Sequence, residues 1–282
     1  MNILLWSESR LAPLNHVFKK FEKKYRVELK EVPYQKKESV VEEIPENYIR
    51  ILDKGYVGLV NCFGTELDIV NAARVSYNKQ SEEFSEADKK LLNFLLREHH
   101  TSPLRHVSLS FECYVPLLVA RQHWKYVVAS TYTDYQNGWN ESSRRYVSDA
   151  IEFYVPTHWR AAPENSKQGS GPVLDDESNS FFTTRLLEYI AMGEQIYNMA
   201  VAQNVAPEQA RLFLPAYGLY VRYRWTISLA GLINFFDQRL APDAQHEITE
   251  LARAAYDLTV PHFPTVLDFY KEENHENFAW RI

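Results

Sequence analysis

Cysteine and glycine are scarce, at two and nine in 282 residues. Cys62 and Cys113 have no CxxC partner, so the chain offers neither a thiolate zinc site nor a disulfide framework. Glycine-rich phosphate loops of the GxGxxG or GxxxxGKS/T kind are absent, and any dinucleotide must be held in another way. No apolar run reaches the roughly 18 residues that cross a bilayer. The start, Met1 to Arg10, also lacks the charged-then-apolar layout of a secretion signal. The expectation is a cytoplasmic protein with no membrane contact. Positive charge is in deficit: 31 Lys and Arg against 37 Asp and Glu leave a net charge of −6. A partner that is a nucleic-acid polymer is therefore not expected, and a phosphate ligand would need positive charge gathered locally.

Hydrophobic residues make up 45% of the chain and aromatics 14%, enough for a substantial core. Residues 1–50 read as an N-terminal extension of unreadable role, its basic stretch from Lys19 to Arg26 being a solvated helix face. Residues 51–282 have the texture of a packed domain. A helix is expected over 67–75. A second follows a capping-box-like start at Ser85, with Leu91, Leu92, Leu95 and Leu96 as its stripe. Strict alternation over 107–115 predicts a half-buried strand ended by Pro116, with Cys113 inside it. A helix over 117–128 would place Arg121 and Lys125 on one face. The best loop is 161–180, rich in Pro, Gly, Ser and Asn. Helices are then expected over 181–203, from Pro207, over 219–236 and from Pro242, so the second half reads as helical.

Local positive charge does occur. Over 119–146 Arg121, Lys125, Arg144 and Arg145 face only Asp134 and Glu141, amid Trp124, Tyr126, Tyr132, Tyr135, Trp139 and Tyr146. Guanidinium forks suit phosphate and aromatic rings suit a flat heterocycle, which fits a nucleotide or a flavin; a solvated face backed by aromatic core residues is the plainer alternative. The stretch Asn140-Glu141-Ser142-Ser143-Arg144-Arg145-Tyr146 adds an amide, a carboxylate and two hydroxyls. Farther on, Arg239 follows an apolar helical stretch, where it needs a ligand or a partner such as Asp237 or Asp243.

Seven ordered segments carry a family resemblance from about residue 51 to 270. They are Ile51 to Val57, Asn71 to Tyr77, His100-Thr101-Ser102-Pro103, Val119-Ala120-Arg121-Gln122, Asn140 to Tyr146, Ala210 to Pro215, and Arg239 with Ala244-Gln245-His246-Glu247. In these the chain resembles flavin-dependent thymidylate synthases. The resemblance implies an α+β fold, an antiparallel sheet with flanking helices and a helical C-terminal half. It also implies a homotetramer that methylates dUMP to dTMP, with methylenetetrahydrofolate as carbon donor and FAD re-reduced by NADPH. It puts Gln122, Lys125, Glu141, Ser143, Arg144, Arg145, Arg211 and Arg239 on dUMP, Arg211 and Arg239 coming from a neighbouring subunit. Arg239 is the catalytic residue, polarising the N3 side of the uracil. Ser76, His100, Ser102, Lys125, Tyr126, Val127 and Asn234 fall to FAD.

The departures are local. The family's Arg-His-Arg triplet is Lys125-Tyr126-Val127 here, and 131–139 forms an insertion. Arg105 stands where a glutamate is common, and Asp243 where a histidine often does. Two alternatives follow: C5 modification of another pyrimidine nucleotide such as UMP or dCMP, or a non-catalytic nucleotide-binding homologue. Neither cysteine has the neighbours of an activated nucleophile.

Overall fold

A computed structural model describes residues 44–129, 138–142, 151–164 and 169–273, with the backbone alone at 127–129 and at 273. Five strands form one sheet: β1 (Tyr48–Ile51), β2 (Gly55–Phe63), β3 (Ser108–Pro116), β4 (Trp139–Glu141) and β5 (Tyr220–Ser228). Their order is β1-β2-β3-β5-β4, and every neighbouring pair is antiparallel. The helices are α1 (Glu66–Arg74), α2 (Glu86–Arg97), α3 (Leu117–His123), α4 (Asp176–Ala202), α5 (Pro207–Ala210), α6 (Leu229–Arg239), α7 (His246–Thr259) and α8 (Pro264–Glu273). Tyr48, Ile49 and Arg50 thus belong to the sheet, although they fall within the first fifty residues.

The period of two along β3 and β5 sorts side chains by face. Leu109, Phe111, Cys113 and Val115 on β3, with Val221, Tyr223, Trp225 and Ile227 on β5, are buried on one side. Helix α7 lies against β1 and β2 on that side, and α3 and α6 against β5. Ile248, Leu251, Ala252 and Ala255 of α7 recur at helical spacing and are almost wholly buried, which is why this helix docks by one stripe. On the other face the Tyr48 ring crosses Gly58, where a β-carbon would come within 2.3 Å of it. A smaller core of Phe153, Ile190 and Leu214 joins α4 to the segment after 151.

Four expectations change. The stretch 219–236 is not one helix: Tyr220–Ser228 is the strand between β3 and β4, and α6 begins only after Ser228, whose Oγ accepts from Gly231 N at 3.2 Å. The second half therefore supplies a central strand as well as helices. Helix α4 starts inside the expected loop because Asp175 caps it, its Oδ1 accepting from Ser178 N at 2.8 Å. Pro242 sits in a turn, closed by Ala244 N donating to Ala241 O at 3.0 Å, and α7 opens at His246. The helix expected over 117–128 is α-helical only to His123 and continues as a 3-10 turn over Trp124–Ala129. Tighter winding takes Lys125 off the α-helical face of Arg121, and both remain exposed.

Candidate active site

Arg239 ends α6, the helix that leaves the central strand β5. Phe235 and Arg239 are four residues apart and share one face of it. The Arg239 guanidinium stands 5.3 Å from the centre of the Tyr126 ring, and that ring meets Phe235 edge-on at 4.8 Å. The Tyr126 side chain also hydrogen-bonds Arg239, so ring and hydroxyl together seat the cation. Neither Asp237 nor Asp243 forms an ion pair with Arg239 among the described residues, and its buried Nε has no hydrogen-bond partner there. Asp237 is turned the other way, accepting from Tyr270 Oη at 2.5 Å. At the end of α3, just before the turn that carries Tyr126, the buried Oε1 of Gln122 is likewise without a partner among the described residues. Unsatisfied polar atoms of this kind cost stability unless a ligand or water completes them.

His123, the next residue, went unremarked in the sequence. It is fully buried and ringed by Trp139, Tyr223, Trp225 and Phe235 at centroid distances of 5.4, 5.7, 4.1 and 4.9 Å. Its Nδ1 is 2.8 Å from Tyr223 Oη. Burial, and next the charge of Arg239, push its pKa down to about 3, so the ring is neutral at physiological pH. Only its place between Gln122 and Trp124, inside a motif, could have singled it out.

Glu141 closes β4, opposite Tyr223. Partial burial raises its carboxyl above the usual range, while the Trp139 indole and the charge of Arg211 oppose the rise. Arg211 therefore lies near enough to act on Glu141 within one chain, without a second copy. It sits in the 3-10 turn Arg211–Phe213, which packs on α4. Ser143, Arg144 and Arg145 lie outside the described residues, as does most of the 131–139 insertion.

The residues expected on a flavin come from three parts of the chain. Ser76 in the turn after α1, His100 and Ser102 after α2, and Asn234 on α6 are all exposed. His100 borders a cavity of about 360 Å³, walled by Leu95, Leu96, Leu104, Ile233 and Phe269 with Asp237 and Tyr270. At about 100° per residue, Asn234 lies between the cavity face of α6 (Ile233, Asp237) and the Arg239 face (Phe235, Arg239). Of the altered triplet, Lys125 is exposed, Tyr126 is turned inward onto Phe235, and the Val127 side chain is outside the description. Both thiols are pushed up by burial, Cys113 to about 12, so neither is a thiolate nucleophile. No cluster of metal ligands occurs among the described residues.

Residues 58–265 match the family model described as "Thymidylate synthase complementing protein". The chain belongs to the flavin-dependent thymidylate synthase family. A flavin-dependent thymidylate synthase from Thermus thermophilus is 37% identical over 225 residues, which cover 79% of this chain and 78% of that protein. One from Kosmotoga olearia is 35% identical, covering 73% and 85%. Among solved structures, a UMP/dUMP methylase PolB from Streptomyces cacaoi bound with 5-Br dUMP superposes with a TM-score of 0.65 at 25% identity, covering 79% of this chain and 97% of that one. The chain is thus an enzyme of the flavin-dependent thymidylate synthase class, a flavoprotein methyltransferase. The five-stranded antiparallel sheet with flanking helices is that family's fold.

Proposed function

We propose that this enzyme carries out the reductive methylation of dUMP to dTMP, with methylenetetrahydrofolate as carbon donor and FAD reduced by NADPH. The observation that carries the reading is Arg239: a cation held against Tyr126, without an ion-pair partner among the described residues and with a buried, unpaired Nε. A pyrimidine laid there meets a fixed positive charge at its N3 side. Negative charge on the ring is then favoured, which makes C5 and C6 reactive. Little solvent reorganisation is needed, because the guanidinium is already placed and partly desolvated. Gln122 Oε1 accepts from a base or ribose donor. Glu141, Arg211, Lys125 and the neighbouring Ser143, Arg144 and Arg145 serve the ribose and phosphate.

For the flavin, Ser76, His100, Ser102 and Asn234 supply exposed hydroxyl, imidazole and amide groups, His100 at an apolar-walled cavity. This combination fits a flat heterocycle with polar edges. Lys125, Tyr126 and Val127 border it from the α3 side, Lys125 supplying charge and Tyr126 a wall. When bound, reduced FAD supplies the hydride. A homotetramer is part of the same reading, supported by exposed Phe181, Phe182, Tyr189 and Met192 along α4.

The test is a reconstitution. Purified protein should take up FAD, visible in its absorption spectrum, and form dTMP only with dUMP, methylenetetrahydrofolate and NADPH together. UMP and dCMP should give no methylated product. Arg239→Ala should lower turnover by about 10²- to 10³-fold, the range for losing one preorganised charge-stabilising group. A protein that refuses FAD, or forms dTMP without it, overturns the reading.

A further inference from the structure

Four polar atoms of these segments, Gln122 Oε1, His123 Nε2, Trp139 Nε1 and Arg239 Nε, are buried without partners among the described residues, and of these the Trp139 N–H acts on the Glu141 carboxyl. His123 is the one that no nucleotide needs to touch, since Trp139, Tyr223, Trp225 and Phe235 enclose its ring. Its neutral ring carries one proton, on Nδ1 or on Nε2. A proton on Nε2 would leave a buried N–H donor without an acceptor, close to the cation of Arg239. A proton on Nδ1 has an acceptor in Tyr223 Oη at 2.8 Å. Tyr223 has a single hydroxyl proton, and Cys113 Sγ is within its hydrogen-bonding reach. The arrangement that gives both of these protons an acceptor runs from His123 Nδ1–H to Tyr223 Oη, and from Tyr223 O–H to Cys113 Sγ. It leaves a lone pair on Nε2. Phe235 touches the His123 ring and shares a helix face with Arg239, so the two unpaired nitrogens belong to one neighbourhood.

We propose that His123 is a positioning residue for Arg239, its Nε2 accepting from one water that the Arg239 side chain also holds, and so fixing the guanidinium against the pyrimidine. The inference rests on the functional reading above for its consequence, and on the geometry alone for its structural half. It assigns the Cys113–Tyr223–His123 chain a role: setting the tautomer that presents a lone pair to the cation.

Three variants separate the nitrogens. His123→Gln can return an acceptor near the Nε2 position, His123→Asn reaches only the Nδ1 position, and His123→Phe fills the aromatic nest with no nitrogen. In flavin-loaded enzyme, kcat should fall about 10²-fold for Phe and Asn, the scale of a misplaced group, and less than about tenfold for Gln. In an Arg239→Ala background His123→Phe should add almost nothing, because the two act as a unit. Wild-type kinetics in His123→Phe, equal loss in all three variants, or full additivity with Arg239→Ala would overturn the proposal. Crystal structures of wild type and His123→Phe make the test independent of dUMP chemistry. Arg239 and His123 Nε2 should share an ordered water in the first, and Arg239 should be re-oriented in the second. An unmoved Arg239 refutes the inference even where turnover is normal, whereas an inactive wild type with the expected contact refutes only the functional reading.

Discussion

Asp88 is 1% exposed and yet carries its charge. Burial opposes the charged form, but the Ser85 hydroxyl, Arg74, the Ser85 backbone and Ser81 all donate to it and together hold its carboxyl well below the usual carboxylate range. Arg74 Nη2 and Nε reach Oδ1 at 2.5 and 3.1 Å. This pair ties the end of α1 to the start of α2, and the turn bearing Ser76 follows Arg74 directly. Asp88→Asn leaves Arg74 facing an amide, and should cost about 3 kcal/mol at neutral pH, the scale of a broken buried pair. The sign with pH is fixed by the direction of the shift. A folded-state pKa below the unfolded one means that the stabilisation is present above the unfolded carboxylate value, about 3.9, and is lost as pH falls through the lower folded value. Chemical denaturation of wild type and Asp88→Asn should differ fully at pH 7 and converge in strong acid. A gap that stays constant down to pH 2 would mean that the ionised carboxylate is not what stabilises.

At the scale of elements, α4 and the Arg211–Phe213 turn approach closely because Gly193 has no β-carbon. One added there would lie 2.7 Å from the Phe213 carbonyl oxygen and 3.0 Å from Pro215 Cδ. Gly193→Ala gains helix propensity of up to about 1 kcal/mol, but must displace backbone, which costs roughly 1–3 kcal/mol. The expected net result is a lower Tm together with a higher KM for dUMP, since the displaced turn carries Arg211. A variant more stable than wild type with unchanged KM would show that the turn yields freely. Legibility in the sequence also divides by element. Helix α2 was readable in full, since Ser85 and Asp88 form the capping box on their own residues. Strand β5 was not. Val221, Tyr223, Trp225 and Ile227 do alternate with Arg222, Arg224 and Thr226, but the strand runs into the apolar α6 with no Gly or Pro between them. Only Ser228 marks the change of period. The site was legible as residue types around Arg121–Gln122 and Arg239. That Tyr126 seats Arg239, and that Phe235 of the same helix packs on buried His123, depends on tertiary packing that no spacing announces.

For the whole molecule, the distribution of exposed apolar surface is more telling than the net charge of −6. Isolated exposed hydrophobics need no explanation, whereas contiguous ones mark an interface. Phe181, Phe182, Tyr189 and Met192 on α4 are 43–56% exposed, and Leu212 and Tyr217, beside Arg211, reach 80% and 73%. Burying one such side chain between subunits contributes about 2 kcal/mol, and in a symmetric assembly each contact repeats. Leu212 makes little of its own chain's core, so Leu212→Asp should leave the subunit folded while placing a carboxylate in the contact beside the dUMP clamp. Sedimentation velocity should find wild type as a tetramer and Leu212→Asp as a smaller species, with far-ultraviolet circular dichroism unchanged and turnover reduced by at least tenfold, on the order of the 1.4 kcal/mol that a factor of ten represents. A fully active wild-type monomer would remove the tetramer from the functional reading. A variant that stays tetrameric would instead place the subunit contact away from the Arg211 turn, and Arg211 would then act from within a single chain, as its effect on Glu141 already allows.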